Sequence, residues 1–540
     1  MKRSACTLVT VVWLLLYATA ASASPSVHRW TDSASPPAAP AAQPFAICTA
    51  PLDQTAPAVS GDIVVWSDKR NGAATSSDIY LYDFSTGQER AVCTAPADQF
   101  RVAVSGTRIV WEDRRTGSSD IYLYDLQTGQ ERVVCEAPGN QQFPSISGER
   151  IVWMDARNTA TTGIDIYAYD LSTSTESPVC TAAGDQTMPM VSGSKVVWRD
   201  LRNQATTQMD IYLYDFATGT ESPVCTAPGV QRDPVIFGDI VLWEDARNEA
   251  VSQQDIYMKV LPAGEEKAIA TAPGNQGGIS IWRDKVVYED QRAMASTGSD
   301  IYLYDLDVGV ETPVCTAPGD QQGAKICAGT LVWQDSRNAA LTGVDVYGLY
   351  VDGTAPDTAV DGVPSGWAGH DVTATFSAVD PAGDRSGVAY TEYSTDGGAT
   401  WAKGDSVTIA IAGETTLNYR SADRAGNVEA DRTTLVRIDT GVPSTTAKRV
   451  TVKARKTATL VFSVADPSPG AGSATVKIEI AQAGGKLAKT LTVGTVSTNV
   501  LLTYKWKATL RKGAYTYRVL ATDAAGNSAT SIGSAALTIK

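Results

Sequence analysis

The sequence predicts an all-β protein, with a seven-bladed β-propeller as its main body and two smaller β-domains behind it. Three observations lead there. A Trp followed two residues on by Asp and four residues on by Arg recurs along the chain. The units that carry it are rich in β-branched and aromatic residues and punctuated by Gly and Asn, which excludes helical repeats. Each unit has the length of a four-stranded propeller blade, well above that of a leucine-rich repeat. Composition agrees: 540 residues with 43% hydrophobic and 19% charged content suit several β-rich domains rather than a disordered chain or a coiled coil.

Residues 1–23 read as a secretory signal, with Lys2 and Arg3 ahead of an apolar core from Leu8 to Tyr17 and a small-residue cleavage site at Ala21-Ser22-Ala23. The apolar core falls short of the ~20 residues a membrane span needs, and no other stretch approaches that length. The expectation is therefore a secreted or cell-surface protein with no membrane span. Residues 24–44, rich in Ala, Pro and Ser, read as an extended tether.

Residues 45–352 hold the repeat. The Trp/Asp/Arg element stands at Trp66/Asp68/Arg70, Trp111/Asp113/Arg115, Trp153/Asp155/Arg157, Trp198/Asp200/Arg202, Trp243/Asp245/Arg247 and Trp333/Asp335/Arg337, with Tyr288/Asp290/Arg292 as a variant, at spacings of 45, 42, 45, 45, 45 and 45 residues. In the third unit the predicted strands are Phe143 to Ser147, Arg150 to Asp155, Asp165 to Asp170 and Pro178 to Thr181. Residues two apart share a face of a strand, so Trp153, Asp155 and Arg157 point the same way. The Trp is expected between blades and the Asp and Arg at the rim, as exposed ion pairs of little individual worth. The seventh unit stops without an outer strand, whereas Phe45 to Pro51 matches the outer strands yet precedes the first unit. That segment is predicted to complete the seventh blade and leave no sheet edge open.

The segments Asp78 to Asp83, Asp120 to Asp125, Asp210 to Asp215 and Asp300 to Asp305, each after a Trp/Asp/Arg element or its Tyr288 variant, resemble the TolB-like propeller repeats of exported surface proteins. The resemblance implies the propeller fold and an exported location. It implies no activity, because propellers host many functions. Behind the repeat, residues 356–440 contain Ser421-Ala422-Asp423-Arg424-Ala425-Gly426-Asn427, and residues 441–540 contain Ala521-Thr522-Asp523-Ala524-Ala525-Gly526-Asn527. Both stretches are similar to bacterial immunoglobulin-like or fibronectin-like modules, which implies β-sandwich spacers.

Charge is uneven. From Gly441 to Lys540 there are 14 Lys and Arg against three acids, a balance of +11, which leaves −25 of the total −14 to residues 1–440. An acidic body without a basic stripe excludes nucleic acid as a partner. The basic last domain suits an anionic cell-wall polymer, or is a solvated lysine-rich surface.

The two histidines, His28 and His370, both lie outside the propeller, so no histidine-based triad, metal site or general base can be assembled on it. No catalytic or metal-ligating residues are assigned. Gln54, Gln99, Gln141, Gln186, Gln231, Gln276 and Gln321 recur just ahead of the inner strands and are expected to ring one mouth of the channel, bonded to each other or to neighbouring backbone, or open to a ligand. Arg101, Arg232 and Asp233, with Phe100, Phe143 and Met188, break the repeat near the same mouth and are the candidate binding residues. Cys48, Cys93, Cys135, Cys180, Cys225 and Cys315 occupy one outer-strand position per blade, with Ala270 in the remaining blade, and are expected as buried free thiols. Ser394 to Trp401 resembles the Asp-box turn of sialidases, which is structural. No cofactor is predicted; Asp380 and Asp384, in one loop between modules, are the acids that calcium would use if it bound, and otherwise are solvated. The functional expectation is a non-catalytic surface protein that binds a protein or glycan. The alternative is a polysaccharide- or peptide-acting hydrolase or lyase working through carboxylates at the channel mouth.

Overall fold

The computed structural model describes residues 43–381 and 386–540; the segment expected to be a secretory signal, nearly all of the expected tether and Asp384 lie outside the described residues. Every regular element among the described residues is a strand. Four-stranded antiparallel units recur seven times, and unit three shows the pattern: Gln141–Ser147, Arg150–Asp155, Asp165–Asp170 and Thr175–Cys180 pair in that order. Its inner strand begins two residues before the predicted Phe143, and its outer strand, predicted from Pro178, begins at Thr175. The innermost strands touch one another in cyclic order, the first against the seventh, which makes the units the blades of a closed propeller ring. Units four and five are also joined by a short parallel pairing of Gln208 with Gly229.

The closure expected from the sequence is present. Phe45–Cys48 pairs antiparallel with Asp345–Tyr350, placing Ala46 opposite Tyr347. Asp53 then accepts hydrogen bonds from Lys69 Nζ at 3.1 Å and Val344 N at 3.2 Å, tying the start of the ring to its end.

The Trp/Asp/Arg face is a buried node rather than an exposed rim, which corrects the sequence expectation. Trp66 is fully buried and donates Nε1–H to Asp68 Oδ2 at 2.8 Å; Asp68 is itself 0% exposed and takes Arg70 Nε and Nη2 at 2.9 and 2.6 Å. Arg70 lies 4.1 Å over the Tyr80 ring, which stacks on Trp66, and donates to Glu89 on its own outer strand and to Cys48 Sγ of the preceding blade. The equivalents at Arg115, Arg157, Arg202, Arg247 and Arg337 reach back to Cys93, Cys135, Cys180, Cys225 and Cys315. Each node therefore bonds two blades. Where the repeat departs, it departs twice at one node: Ala270 replaces the cysteine facing Arg292, and Tyr288 replaces the tryptophan, its hydroxyl donating to Glu311.

Behind the ring come two double-sheet modules. Asp357–Asp361, Val372–Val379 and Ser406–Ile409 form one sheet of the first, which packs on a sheet of Ala402–Lys403, Val388–Ser394, Gly413–Asp423 and Arg432–Ile438. Phe376, Leu417, Tyr419 and Val436 meet in the core between them. The second module packs three strands on five around Phe462, Ile478, Tyr517 and Leu537.

Candidate functional site: the channel mouth

Each inner strand carries the same distortion. In unit three, Gln142 faces Met154 and Ser145 faces Val152, so Phe143 and Pro144 together oppose the single residue Trp153, a β-bulge. The first bulge residue has positive φ in every blade: 50° at Ala56, 52° at Arg101, 52° at Phe143, 55° at Met188, 49° at Asp233, 59° at Gly278 and 63° at Gly323. Left-handed backbone is unfavourable for side chains other than Gly, Asn and Asp, so four of these positions store strain. In exchange, a bulge re-aims the side chain. Four of the residues that break the repeat, Arg101, Phe143, Met188 and Asp233, stand at these positions and line the central channel.

The channel is a cavity of about 440 Å³ lined from all seven blades, Ala58, Arg101, Phe143, Met188, Asp233, Gly278 and Lys325 among the lining residues. Its wall is two-sided. On one side Arg101 sits 3.7 Å over the Phe143 ring and 5.1 Å from Phe100, with Met188 and Met190 beyond. Facing them are Asp233, Glu244 and Lys325. Burial pushes the Lys325 ammonium below its ordinary range, against the pull of Glu289, Asp233 and Glu244.

The glutamates come from the variable middle position of the Trp-x-Asp element, which points away from the Trp. Glu112 is 0% exposed and accepts Arg101 Nη1 at 2.8 Å, Ser119 Oγ at 2.7 Å and Gln142 Nε2 at 3.2 Å. Glu244 accepts Gly278 N at 2.8 Å, Arg232 Nε at 3.1 Å and the Gln254 amide. Burial first, and the charge of Asp233 second, push its carboxyl up to about 7. Glu289 accepts Gly323 N at 2.7 Å and is likewise raised by burial, while Gln334 Oε1 accepts Ala56 N at 3.0 Å. In three consecutive blades this side chain thus holds the bulge of the next blade. At Gly278 a Cβ would lie 2.3 Å from Glu289 Oε1, so the carboxylate that holds Gly323 would have to move.

The glutamines do not ring the mouth. Gln54, Gln99, Gln141, Gln186, Gln231, Gln276 and Gln321 are all 0% exposed, and the Nε2 of five of them bonds a backbone carbonyl two residues earlier, as Gln54 does to Leu52 O at 2.8 Å. These five fasten the loop that enters their inner strand, as the backbone-bonded alternative expects, while the buried Gln141 and Gln231 amides have no hydrogen-bond partner; none of the seven is open to a ligand. Arg101 lines the channel and is paired to Glu112; Arg232, paired to Glu244, lines a neighbouring pocket; Asp233 lines the channel with Arg199 3.9 Å away. Sequence reasoning missed Glu112, Glu244, Glu289 and Lys325. The signal was available, since three of them are the one variable residue inside an otherwise repeated Trp-x-Asp.

The seven described cysteines are free and buried. In the Asp-box stretch Asp396 accepts from Thr400 N at 2.9 Å and Ser394 Oγ at 2.7 Å, a turn closed on itself. Asp380 groups with Asp352 and Asp423, whose carboxylate oxygens lie within 4.8 Å of one another.

No family model matches the chain, and no curated protein does. Solved structures similar to it include TolB from Acinetobacter baumannii, at 18% identity and TM-score 0.38 over 49% of this chain and 66% of that one. The β-propeller domain of the Trilobed protease from Pyrococcus furiosus aligns at 13% identity and TM-score 0.44, over 55% of this chain and 95% of that one. An acylaminoacyl peptidase from Pyrococcus horikoshii aligns at 14% identity and TM-score 0.41, over 60% and 57%. The propeller assignment stands on the topology of the chain itself.

Proposed function

We propose that the chain is an exported, non-catalytic binding protein that takes a protein segment or glycan at the mouth of its propeller channel, with the two C-terminal modules as spacers. One observation carries the reading: four residues that break the sevenfold repeat, Arg101, Phe143, Met188 and Asp233, line the channel together from backbone bulges with left-handed φ. An aromatic and thioether half, with Arg101, suits an apolar or sugar face; the half with Asp233 and Lys325 suits polar groups. The test is a glycan and peptide array probed with the full chain, then repeated with Asp233→Asn and Met188→Ala. Both variants should weaken capture about tenfold or more while the melting temperature stays within a few degrees. Unchanged capture in both would remove the mouth as the site. The basic last module is a second contact for anionic wall polymer, to be checked as binding that falls with added salt.

The carboxylate-enzyme reading draws on Glu244, an acid poised near neutrality beside Asp233. Against it, Glu244 and Glu289 are each engaged in holding a neighbouring backbone N–H. Turnover of a polysaccharide or peptide, abolished by Glu244→Gln, would replace the binding reading.

A further inference from the structure

Asp439, Asp466 and Asp523 meet at the junction between the two C-terminal modules. Asp439 follows the last strand of the first module, Arg432–Ile438, while Asp466 follows Thr457–Ala465 and Asp523 closes Gly513–Asp523 in the second. Their exposures are 0%, 5% and 5%, and one carboxylate oxygen from each lies within 4.8 Å of the others. Two of the three are fixed by backbone. Asp439 accepts Gly441 N at 2.9 Å and Ala471 N at 2.7 Å; Asp523 accepts Asn527 N at 2.8 Å and Ala525 N at 3.0 Å. Asp466 is different: neither of its side-chain oxygens has a hydrogen-bond partner, although the group is buried and turned toward the other two.

Among the described residues no Lys or Arg pairs with any of the three, although the module they belong to is the basic one. Buried carboxylates without a counter-charge are strongly unfavourable, and three held together compound the cost. The turn beside them is also shaped to come close: a Cβ on Gly470 would fall 2.6 Å from Pro467 O and 3.0 Å from Asp466 Oδ2. The preceding junction repeats the layout in Asp352, Asp380 and Asp423, with Asn427 Nδ2 bonding Asp352 O at 2.8 Å where Asn527 Nδ2 bonds Asp439 O at 2.7 Å.

We infer that Asp439, Asp466 and Asp523 bind a hard divalent cation, calcium, which locks the second C-terminal module onto the end of the first. Carboxylate oxygens from separate loops, completed by backbone carbonyl or water, suit the six to eight flexible oxygen ligands of calcium better than the rigid octahedron of magnesium. Asp466 supplies the free oxygens; Asp439 brings in the neighbouring module.

The test compares the full chain with Asp466→Asn, chosen because Asp466 holds no backbone group. By equilibrium dialysis at about 1 mM calcium, in the range of extracellular sites, the parent should bind one more ion per chain than the variant. Any ion at the preceding junction cancels in the difference. Calcium should raise the melting temperature of the last module in the parent only, and in EDTA the variant should melt no lower than the parent. Magnesium should bind at least tenfold more weakly. Equal stoichiometry in parent and variant overturns the inference, as does equal destabilisation of the variant in EDTA and in calcium. Should the variant not fold, the parent alone decides: absence of calcium-dependent protection of residues 440–443 from limited proteolysis also overturns it.

Discussion

Arg157 shows what one residue holds in each node. It takes both oxygens of Asp155, reaches Glu176 on the outer strand and Cys135 on the previous blade, and lies 4.1 Å over Tyr167. Because Asp155 is 0% exposed, Arg157→Ala leaves an uncompensated buried charge, and urea denaturation should show a loss of about 3–5 kcal/mol. Lys69→Ala, which breaks a half-exposed pair with Asp53, should cost less than about 1 kcal/mol. The thiols answer to the same burial. Cys48, Cys93, Cys135, Cys180 and Cys225 are pushed up to about 12 by burial, against the neighbouring arginine. At pH 8 a thiol reagent should find them unreactive until denaturant is added. Glu244 is paired with Arg232, yet burial outweighs the pairing. Its folded carboxyl is raised from an ordinary 4.5 to about 7, so between those values the unfolded chain holds fewer protons and stability falls as pH rises, levelling above the folded value. Melting curves of Glu244→Gln and the parent should diverge in favour of the variant from pH 5 to 7.5, then run parallel.

At the scale of the element, the bulged inner strand is the feature to perturb. Ala56 sits at φ 50° without the chemistry that justifies it elsewhere, so Ala56→Gly should be neutral or stabilising by up to about 1 kcal/mol. Gly278→Ala should destabilise, because its Cβ collides with the Glu289 carboxylate that holds Gly323. Denaturant midpoints of the two variants should move in opposite directions. The strands themselves were legible in the sequence: period-two alternation put Trp153, Asp155 and Arg157 on one face, and they share it. Alternation gives the face but not the depth, which is why the Asp–Arg pairs read as exposed. The bulges were not legible, since an unpaired extra residue leaves no compositional trace when it is Arg, Phe or Met. Gln54 was open for the opposite reason: a repeated amide fits a ring of ligands as well as a loop anchor, and only the Leu52 carbonyl it bonds decides for the anchor.

For the whole molecule, the ring was written in the 45-residue period and its closure in a seven-residue match at the wrong end of the repeat. Deleting Phe45 to Pro51 should lower the melting temperature of the full chain by several degrees and leave Asp345–Tyr350 as an open edge, checked by calorimetry and by self-association. The site was only half legible, because its acids come from a variable position that aligns only once the blades are stacked around an axis.

That closing strand also fixes an order of events. Phe45 leaves the ribosome first, yet its partner strand from Asp345 is made about 300 residues later, and every intervening blade must be in hand before the two can meet. Until then Trp66 of the first blade and Cys48 of the closing strand lie exposed, without the rest of the seventh blade beside them. The propeller therefore reaches its native state by one late, long-range step, and a chain interrupted anywhere before Tyr350 has no ring to fall back on.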